Sequence, residues 1–131
     1  MKSLSTGLAL CIALAAAGTL SAHHSYASFE RDQTVTVEGR IDKVSFVNPH
    51  VLLTIQSTSE TYTVEWLAVQ ALERAGITNA VLKTGDHIVV SGSPKKDPTD
   101  HTISLVKEVR RPSDGWHWSQ TPAAAPAASL K

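Results

Sequence analysis

Apolar and polar residues alternate along the middle of the chain in short runs, with the period of two that β-strands produce. The first run, "QTVTVEGRIDKVSFVNPH", has apolar residues at odd positions up to Ile41 and at even positions from Val44 onward. This change of phase predicts an extra residue near Asp42 or Lys43, which bends a strand as a β-bulge does. The first strand is therefore expected to be long and curved.

Two further strands, one helix and two final strands are predicted after it. The segments "VLLTIQ" and "TYTVEWL" alternate strictly, whereas "AVQALERAG" changes to helical spacing and ends at a glycine. After the turn "LKTGD", the runs "HIVVSG" and "HTISLVKEV" return to the alternation of strands. The predicted order is three strands, a helix and two strands.

This order predicts a mainly β fold, a five-stranded antiparallel barrel of the β-β-β-α-β-β plan with one short helix, as in the oligonucleotide and oligosaccharide binding (OB) fold. Closure of the barrel removes the exposed edges that a small sheet would otherwise present. The alternative is an open sheet with the helix packed across it. In the closed barrel, the following residues are expected to share one interior: Val35, Val37, Ile41, Leu53, Ile55, Val64, Ile88, Val90, Ile103 and Leu105.

Residues 1–22 have the three parts of a secretory signal peptide, with Lys2, an apolar run over residues 7–18 and small residues before a polar boundary. The apolar run is shorter than the roughly 20 residues that a transmembrane helix needs. We therefore expect cleavage after Ser21 or Ala22 rather than an uncleaved anchor. The mature protein is expected to be periplasmic or secreted from a bacterium, with no membrane association after cleavage.

The remainder of the chain divides into three parts. Residues 23–33 form an N-terminal arm that contains two histidines, residues 34–112 form the OB-like barrel, and residues 113–131 form a tail rich in alanine and proline. The tail is expected to be disordered because it has no apolar period with which to form a core. The alternative for its first part is that Trp116 or Trp118 packs back on the barrel.

The composition limits the chemistry that is available. Twelve lysines and arginines balance twelve aspartates and glutamates, so the chain lacks the basic surface that binding to nucleic acid requires. The one cysteine, Cys11, lies in the leader. A metal site in the mature protein would have to use imidazole, carboxylate or amine ligands. All six histidines lie beyond the leader and make such a site chemically possible.

Three segments, "HHSYASF", "VNPHV" and "ALERAGIT…LKTGDHIVVSGSP", resemble one exported bacterial family, the domain of unknown function 6152 (DUF6152). The resemblance extends from about His23 to Val109 and implies an exported barrel-like domain with no established activity. Val69 and Tyr62 stand where we would expect the family to favour proline and tryptophan, and these departures affect the expected start of the helix. The residues that the resemblance marks are His23, His24, Ser25, Asn48, Pro49, His50 and Glu65.

The histidines beside the cleavage position predict a metal site. Imidazole suits copper, and copper(II) binds most strongly in the divalent series, while a free α-amine with a pKa of about 7.7 to 8.0 loses its proton readily to a metal ion. If His23 is first, its amine and ring can bind one ion with His50 as a further ligand. If Ala22 is first, the amine, backbone nitrogens and ring of His24 can surround copper(II) or nickel(II). The predicted cofactor is therefore copper(II), or none.

Other interpretations are open. Histidines without carboxylate or thiol partners are a weak metal signature, so the pair can be a polar spacer and His50 can cap a turn. The chain can also be a metal-independent barrel that binds a small ligand or a periplasmic protein partner, or a copper-dependent enzyme. We expect no enzymatic activity, because Ser25 and His24 point in opposite directions in an extended chain and have no acid partner. Glu65 is a single carboxylate on a strand.

Overall fold

Six strands and one helix follow each other along residues 26–120, the part of the chain that the structure, a computed structural model, describes. Within this part, no helix is long and apolar enough to cross a bilayer. In chain order the elements are β1 (Val35–Ser45), β2 (Leu52–Gln56), β3 (Thr61–Glu65), α1 (Val69–Arg74), β4 (His87–Pro94), β5 (Thr102–Arg111) and β6 (Trp116–Ser119).

The first five strands close into a barrel, as the sequence predicted. β1 pairs antiparallel with β2 and with β4, β2 pairs with β3, and β4 pairs with β5. Parallel pairing of β3 with β5, at Val64 and Ile103, completes the ring. One parallel pair is unavoidable, because strand directions cannot alternate all the way around a ring with an odd number of strands. The closed barrel confirms the predicted fold class and excludes the open sheet.

The bend in β1 lies where the change of phase predicted it. The register between β1 and β2 shifts between Ile41 and Lys43, so Asp42 is the extra residue of a β-bulge. Near this bend the two backbones approach very closely. A Cβ atom at Gly39 would overlap the carbonyl oxygen of Gln56. Only glycine fits at this position without displacing β2.

The core lies inside the barrel and under helix α1. All predicted interior residues except Leu105 belong to the buried cluster or, as Val35 does, pack against it. The helix contributes Leu72, which is fully buried. The buried cluster consists of Val37, Ile41, Val51, Leu53, Ile55, Val64, Trp66, Leu72, Ile77, Leu82, Ile88, Val90, Ile103, Val106 and Val109.

The prediction for Leu105 was wrong. The register between β4 and β5 shifts between Ser91 and Ser93, and opposite this irregularity Leu105 has a φ of 48°, in the left-handed region. The backbone turn brings Val106 into the interior, where it is 2% exposed, and leaves Leu105 half-buried. Strict alternation from Ile103 places Leu105 rather than Val106 in the interior, and this is wrong because the strand is not regular here.

The prediction that disorder begins at residue 113 was also wrong. β6 pairs antiparallel with β5 after a tight reversal. Asp114 accepts hydrogen bonds from the Arg111 guanidinium and from the backbone N–H of Trp116, which holds the reversal. The indole of Trp118 packs edge-on against Trp66, with 5.2 Å between ring centroids. Apolar contact with the barrel therefore orders this segment, and residues 121–131 lie outside the described residues.

Candidate functional site

The Asn48-Pro49-His50 turn joins β1 to β2 and is attached to the start of α1. The peptide bond between Asn48 and Pro49 is cis. Asn48 Oδ1 accepts a hydrogen bond of 3.1 Å from the backbone N–H of Val69, the first residue of the helix. The first N–H groups of a helix have no partner within the helix, and Ala68 at the N-cap position provides no side-chain oxygen. Asn48 therefore caps α1 from a distance.

His50 lies directly before a residue that is held on both sides by backbone hydrogen bonds. The N–H of Val51 donates to the carbonyl of Leu67 at 3.0 Å, and the carbonyl of Val51 accepts from the N–H of Trp66 at 2.8 Å. The imidazole is half-buried and lies beside the ring of Tyr26, with 6.5 Å between centroids and 52° between ring planes. The position of His50 is thus determined by the backbone hydrogen bonds of Val51 and by the contact with Tyr26.

The segment after Tyr26 is docked on the end of β4. Phe29 is 1% exposed and forms an isolated antiparallel bridge with Lys95. The N–H of Glu30 donates to the carbonyl of Pro94 at 2.8 Å, and the Lys95 ammonium lies 4.3 Å from the centroid of the Phe29 ring. These contacts keep Tyr26 beside His50. The predicted site residues His23, His24 and Ser25 lie outside the described residues.

Glu65 ends β3 near the same part of the barrel. Beyond Val64, β3 is no longer paired with β5, and a pocket of about 130 Å³ lies between the two strands. We call it the Trp66 pocket; its lining residues include Tyr26, Glu65, Trp66, Ser104, Leu105 and Val106. Tyr26 thus contacts His50 and also lines the pocket that Glu65 lines. The structure thus brings two of the marked residues, His50 and Glu65, near one tyrosine.

Trp66 has an unusual environment for a core residue. It is 4% exposed, and its indole Nε1 is buried without a hydrogen-bond partner among the residues that the structure describes. A buried donor without a partner costs about 1 to 3 kcal/mol. The alternation of residues assigns Trp66 only to the apolar face of β3. Its unpaired donor could not have been found from that pattern.

Within residues 26–120, no three histidine, cysteine, aspartate or glutamate side chains are grouped so that they could hold a metal ion. Of the three predicted metal ligands, only His50 belongs to this part of the chain. A metal site at the turn would therefore need further ligands from the residues that precede Tyr26. Asn48 and Pro49 shape the turn, and the amide oxygen of Asn48 is bonded to the helix.

Two other histidines are paired with carboxylates at different places on the barrel. His87 Nε2 lies 2.8 Å from Glu38 Oε1, and His101 Nδ1 lies 3.2 Å from Glu60 Oε2. The His101 ring also stacks on Tyr62, with 5.3 Å between centroids. Each imidazole already has an acceptor for one ring nitrogen. These two histidines provide matched controls for experiments on His50.

Two larger cavities, of about 480 and 370 Å³, lie beside each other near Tyr62. They share Thr36, Val37 and Tyr62, and His87 lines the larger one while His101 lines the other. Neither is lined by His50 or Glu65. These two cavities are therefore separate from the residues that the sequence singled out.

The clearest electrostatic effects lie in the β5–β6 hairpin. Hydrogen bonds from Arg111 lower the pKa of Asp114, and the same hydrogen bonds, together with one to Asp86, raise the pKa of Arg111. Arg111 also donates to the carbonyl of Val81 at 2.6 Å. This guanidinium joins the hairpin to the segment before β4, so its role is structural.

Comparison with known proteins identifies a family model. The model described as "Family of unknown function (DUF6152)" matches residues 10–104, and no curated protein matches. Among solved structures, the ZRD-deleted mutant of TiaS in complex with agmatine and a complex of TiaS with a transfer RNA and ATP are each 23% identical over 63% of this chain, with a TM-score of 0.47. The aligned region covers only 22% and 18% of those chains, and a likeness at this level carries no argument about function.

Proposed function

The chain belongs to the family of unknown function DUF6152, and we propose that it is a small exported barrel that binds a divalent metal ion, copper(II) first, between its mature N-terminus and His50. The proposal is of a binding module rather than an enzyme, because the sequence offers no nucleophile with a base and an acid partner. Export would follow from the signal-like leader, and the mature chain would begin at Ala22 or His23.

The observation that carries this proposal is the position of Tyr26 beside the His50 ring. The chain can advance at most about 3.6 Å per residue. The Cα atom of His24 is therefore within about 7 Å of that of Tyr26, and the Cα atom of His23 is within about 11 Å. The segment after Tyr26 is docked on β4, which fixes the position of Tyr26 beside His50. The short chain length before Tyr26 would therefore allow either histidine to bind the same metal ion as His50.

The donor set suits copper(II). Imidazole nitrogens and a terminal amine are ligands that copper(II) binds more strongly than the other divalent ions of the series do. With His23 first, its amine and ring would form one chelate and His50 would provide a further nitrogen. With Ala22 first, the amine, backbone nitrogens and ring of His24 would suffice without His50. Protons compete for these nitrogens, so affinity should fall as the pH is lowered.

Calorimetric titration of the exported and processed protein with copper(II) tests the proposal, after an intact mass has established the first residue. We expect saturable binding that weakens about tenfold or more when His23, His24 and His50 are all replaced by alanine. Equal affinity of this triple variant would refute the proposal. The matched controls are His87→Ala and His101→Ala, which remove histidines that are paired elsewhere and should leave binding unchanged.

Two further modifications distinguish the arrangements. Acetylation of the mature N-terminal amine should weaken any site that uses the amine, while the unfolding temperature of the barrel stays the same. His50→Ala should weaken binding only where His23 is first and the turn supplies a ligand. An affinity that is insensitive to His50→Ala would therefore assign the metal to the N-terminal chelate alone.

A further inference from the structure

One edge of β1 is unpaired over the first half of the strand. Residues 35–40 pair with β4 on one side, but on the other side pairing with β2 starts only at Arg40, opposite Gln56 at the end of β2. After Gln56 the chain turns into the β2–β3 hairpin, where the N–H of Ser57 donates to the carbonyl of Glu60. Residues 35–39 therefore have no strand beside them on this side within residues 26–120.

The N–H and C=O groups of Thr36 and Glu38 point to the unpaired side. In an antiparallel sheet, successive residues direct their backbone groups to opposite neighbours. Ile41 donates to the carbonyl of Asp86 and accepts from the N–H of Gly85, just before β4. The odd-numbered residues of this half-strand thus face β4, and the even-numbered ones face away from it. An edge with unpaired backbone groups is a template for a further strand.

The unpaired edge lies in a groove. The cavities of about 480 and 370 Å³ adjoin each other along it, and both are lined by Thr36, Val37 and Tyr62. The β2–β3 hairpin lines the larger cavity with Thr58, and the loop before β5 lines the other with Pro98. We call the two cavities together the edge groove. A second barrel could not bring its own β1 here, because its own hairpin and loop would meet these walls, so the groove admits a single extended segment.

The edge groove favours a segment whose side chains alternate in character. Its inner wall is apolar, because Val37 and Ile103 are buried and Tyr62 is half-buried. On the outer side lie the exposed residues Thr36 and Glu38. A strand added to β1 continues the two faces of the sheet. Every second residue of the segment therefore contacts the apolar wall, and the residues between them lie beside Glu38.

The charges around the groove favour a basic segment. Arg40 donates to a backbone carbonyl that does not line the groove, and Lys95 donates to a serine hydroxyl that does not line it either. The lining carboxylates, Glu38, Asp97 and Asp100, each use only one oxygen in hydrogen bonds among the described residues. Their other oxygens can accept hydrogen bonds from a cation, so the groove complements positive charge.

We propose that the edge groove binds an extended segment of a partner protein in which basic and apolar residues alternate, added to β1 as an antiparallel strand. The strands that already pair with β1, β2 and β4, are antiparallel to it, and antiparallel pairing is the more stable per residue. Directly opposite residues share one face of the sheet. The basic residues of the segment therefore exchange backbone hydrogen bonds with Thr36 and Glu38, and the apolar residues cover Val37 and Tyr62. This site does not depend on the copper site.

The probe is a short peptide of alternating lysine and valine, acetylated at its first residue and amidated at its last. It is titrated into the ¹⁵N-labelled processed protein in the presence of a chelator, and amide hydrogen exchange is followed at each residue. Without peptide, the amides of Thr36 and Glu38 should exchange about tenfold or more faster than that of Val37, which faces β4. Saturating peptide should slow both by about tenfold or more and leave Val37 unchanged.

Altered peptides test the backbone and the charge separately. N-methylation of the lysines removes the N–H groups that face β1 and should weaken binding about tenfold or more, whereas N-methylation of the valines, whose N–H groups face away, should leave it nearly unchanged. The reverse pattern would overturn the antiparallel arrangement. Replacement of the lysines by glutamates should also weaken binding about tenfold, and equal binding of that peptide would refute the preference for a basic segment.

Thr36→Pro and Thr36→Ala form a matched pair of variants. Both lose the hydroxyl that contacts Ser91, but only proline removes the N–H that faces the groove. The bonds of β1 to β4 use the odd-numbered residues, so proline at this edge position leaves them intact. Thr36→Pro should weaken binding of the lysine–valine peptide about tenfold or more, and Thr36→Ala should bind it as the unmodified protein does.

Three results on the unmodified protein would overturn the proposal, whether or not a variant folds. One is that the amides of Thr36 and Glu38 exchange as slowly as that of Val37 without peptide, which would mean that another segment already covers the edge. Another is that the lysine–valine peptide does not slow them. The third is that the two N-methylated peptides bind equally well, which would exclude backbone pairing. Loss of copper binding in the histidine variants has no bearing on any of these.

Discussion

Replacement of Leu105 by glycine should be less harmful than replacement by alanine, which reverses the usual order of these residues in strands. Leu105 lies in β5 with a φ of 48°, a conformation that costs a residue with a Cβ atom about 1 to 2 kcal/mol. Both substitutions remove the same contacts of the isobutyl group. They differ by one methyl group and by the backbone conformations that it allows.

The expected magnitude follows from two opposing effects. Glycine avoids the cost of the left-handed backbone, about 1 to 2 kcal/mol, but it increases the entropy of the unfolded chain, which costs about 0.4 to 1 kcal/mol. The glycine variant should therefore be more stable than the alanine variant by about 0.5 to 1 kcal/mol. For a domain of this size that corresponds to a difference in melting temperature of about 2 to 8 °C.

Urea denaturation followed by tryptophan fluorescence measures both variants, with Arg110 of the same strand as the control. Arg110 is exposed and regularly paired with β4 and β6, so Arg110→Gly should be less stable than Arg110→Ala by about 0.5 to 1 kcal/mol. The sign of the difference should reverse between the two positions. If glycine is the worse residue at both, Leu105 is not left-handed, and the assignment of Val106 to the interior loses its explanation.

Two further predictions concern contacts at the ends of the barrel. Asn48→Ala should lower the free energy of unfolding by about 1 kcal/mol, because it removes the acceptor for the N–H of Val69. Asn48→Asp retains an oxygen at this position and should keep most of the stability. Equal losses of stability in the two variants would exclude a capping role for Asn48. Asp114→Asn should destabilise the protein at pH 7, because hydrogen bonds from Arg111 lower the pKa of Asp114 in the folded state. A depressed folded-state pKa contributes stability above the ordinary carboxylate range, so the difference should begin to shrink as the pH falls through about 4 and should disappear only once Asp114 is protonated in the folded state as well. A difference that persists unchanged in urea titrations at about pH 3 would contradict this.

The local features of the barrel could be predicted from the sequence by itself. Successive residues of a strand face opposite sides, so the apolar side of a strand can be recognised from residues that are close together in the sequence. For the same reason the bulge at Asp42 was visible as a change of phase, and the helix that begins at Val69 was visible as a change of period. The number and order of these elements then indicated the closed barrel, because few topologies bury one face of every strand.

Features that depend on residues distant in the chain were decided only by the tertiary structure. Leu105 and Val106 exchange their expected places because β5 bends where its pairing with β3 ends and its register with β4 shifts, and Trp118 is ordered because Trp66 offers it a surface. The contact between Tyr26 and His50 joins two segments that have no pattern in common. The Trp66 indole nitrogen is buried with no hydrogen-bond partner among the described residues, which alternation cannot reveal. Periodicity reports which face a residue occupies, whereas a binding site depends on which other segments the folded backbone brings to that face.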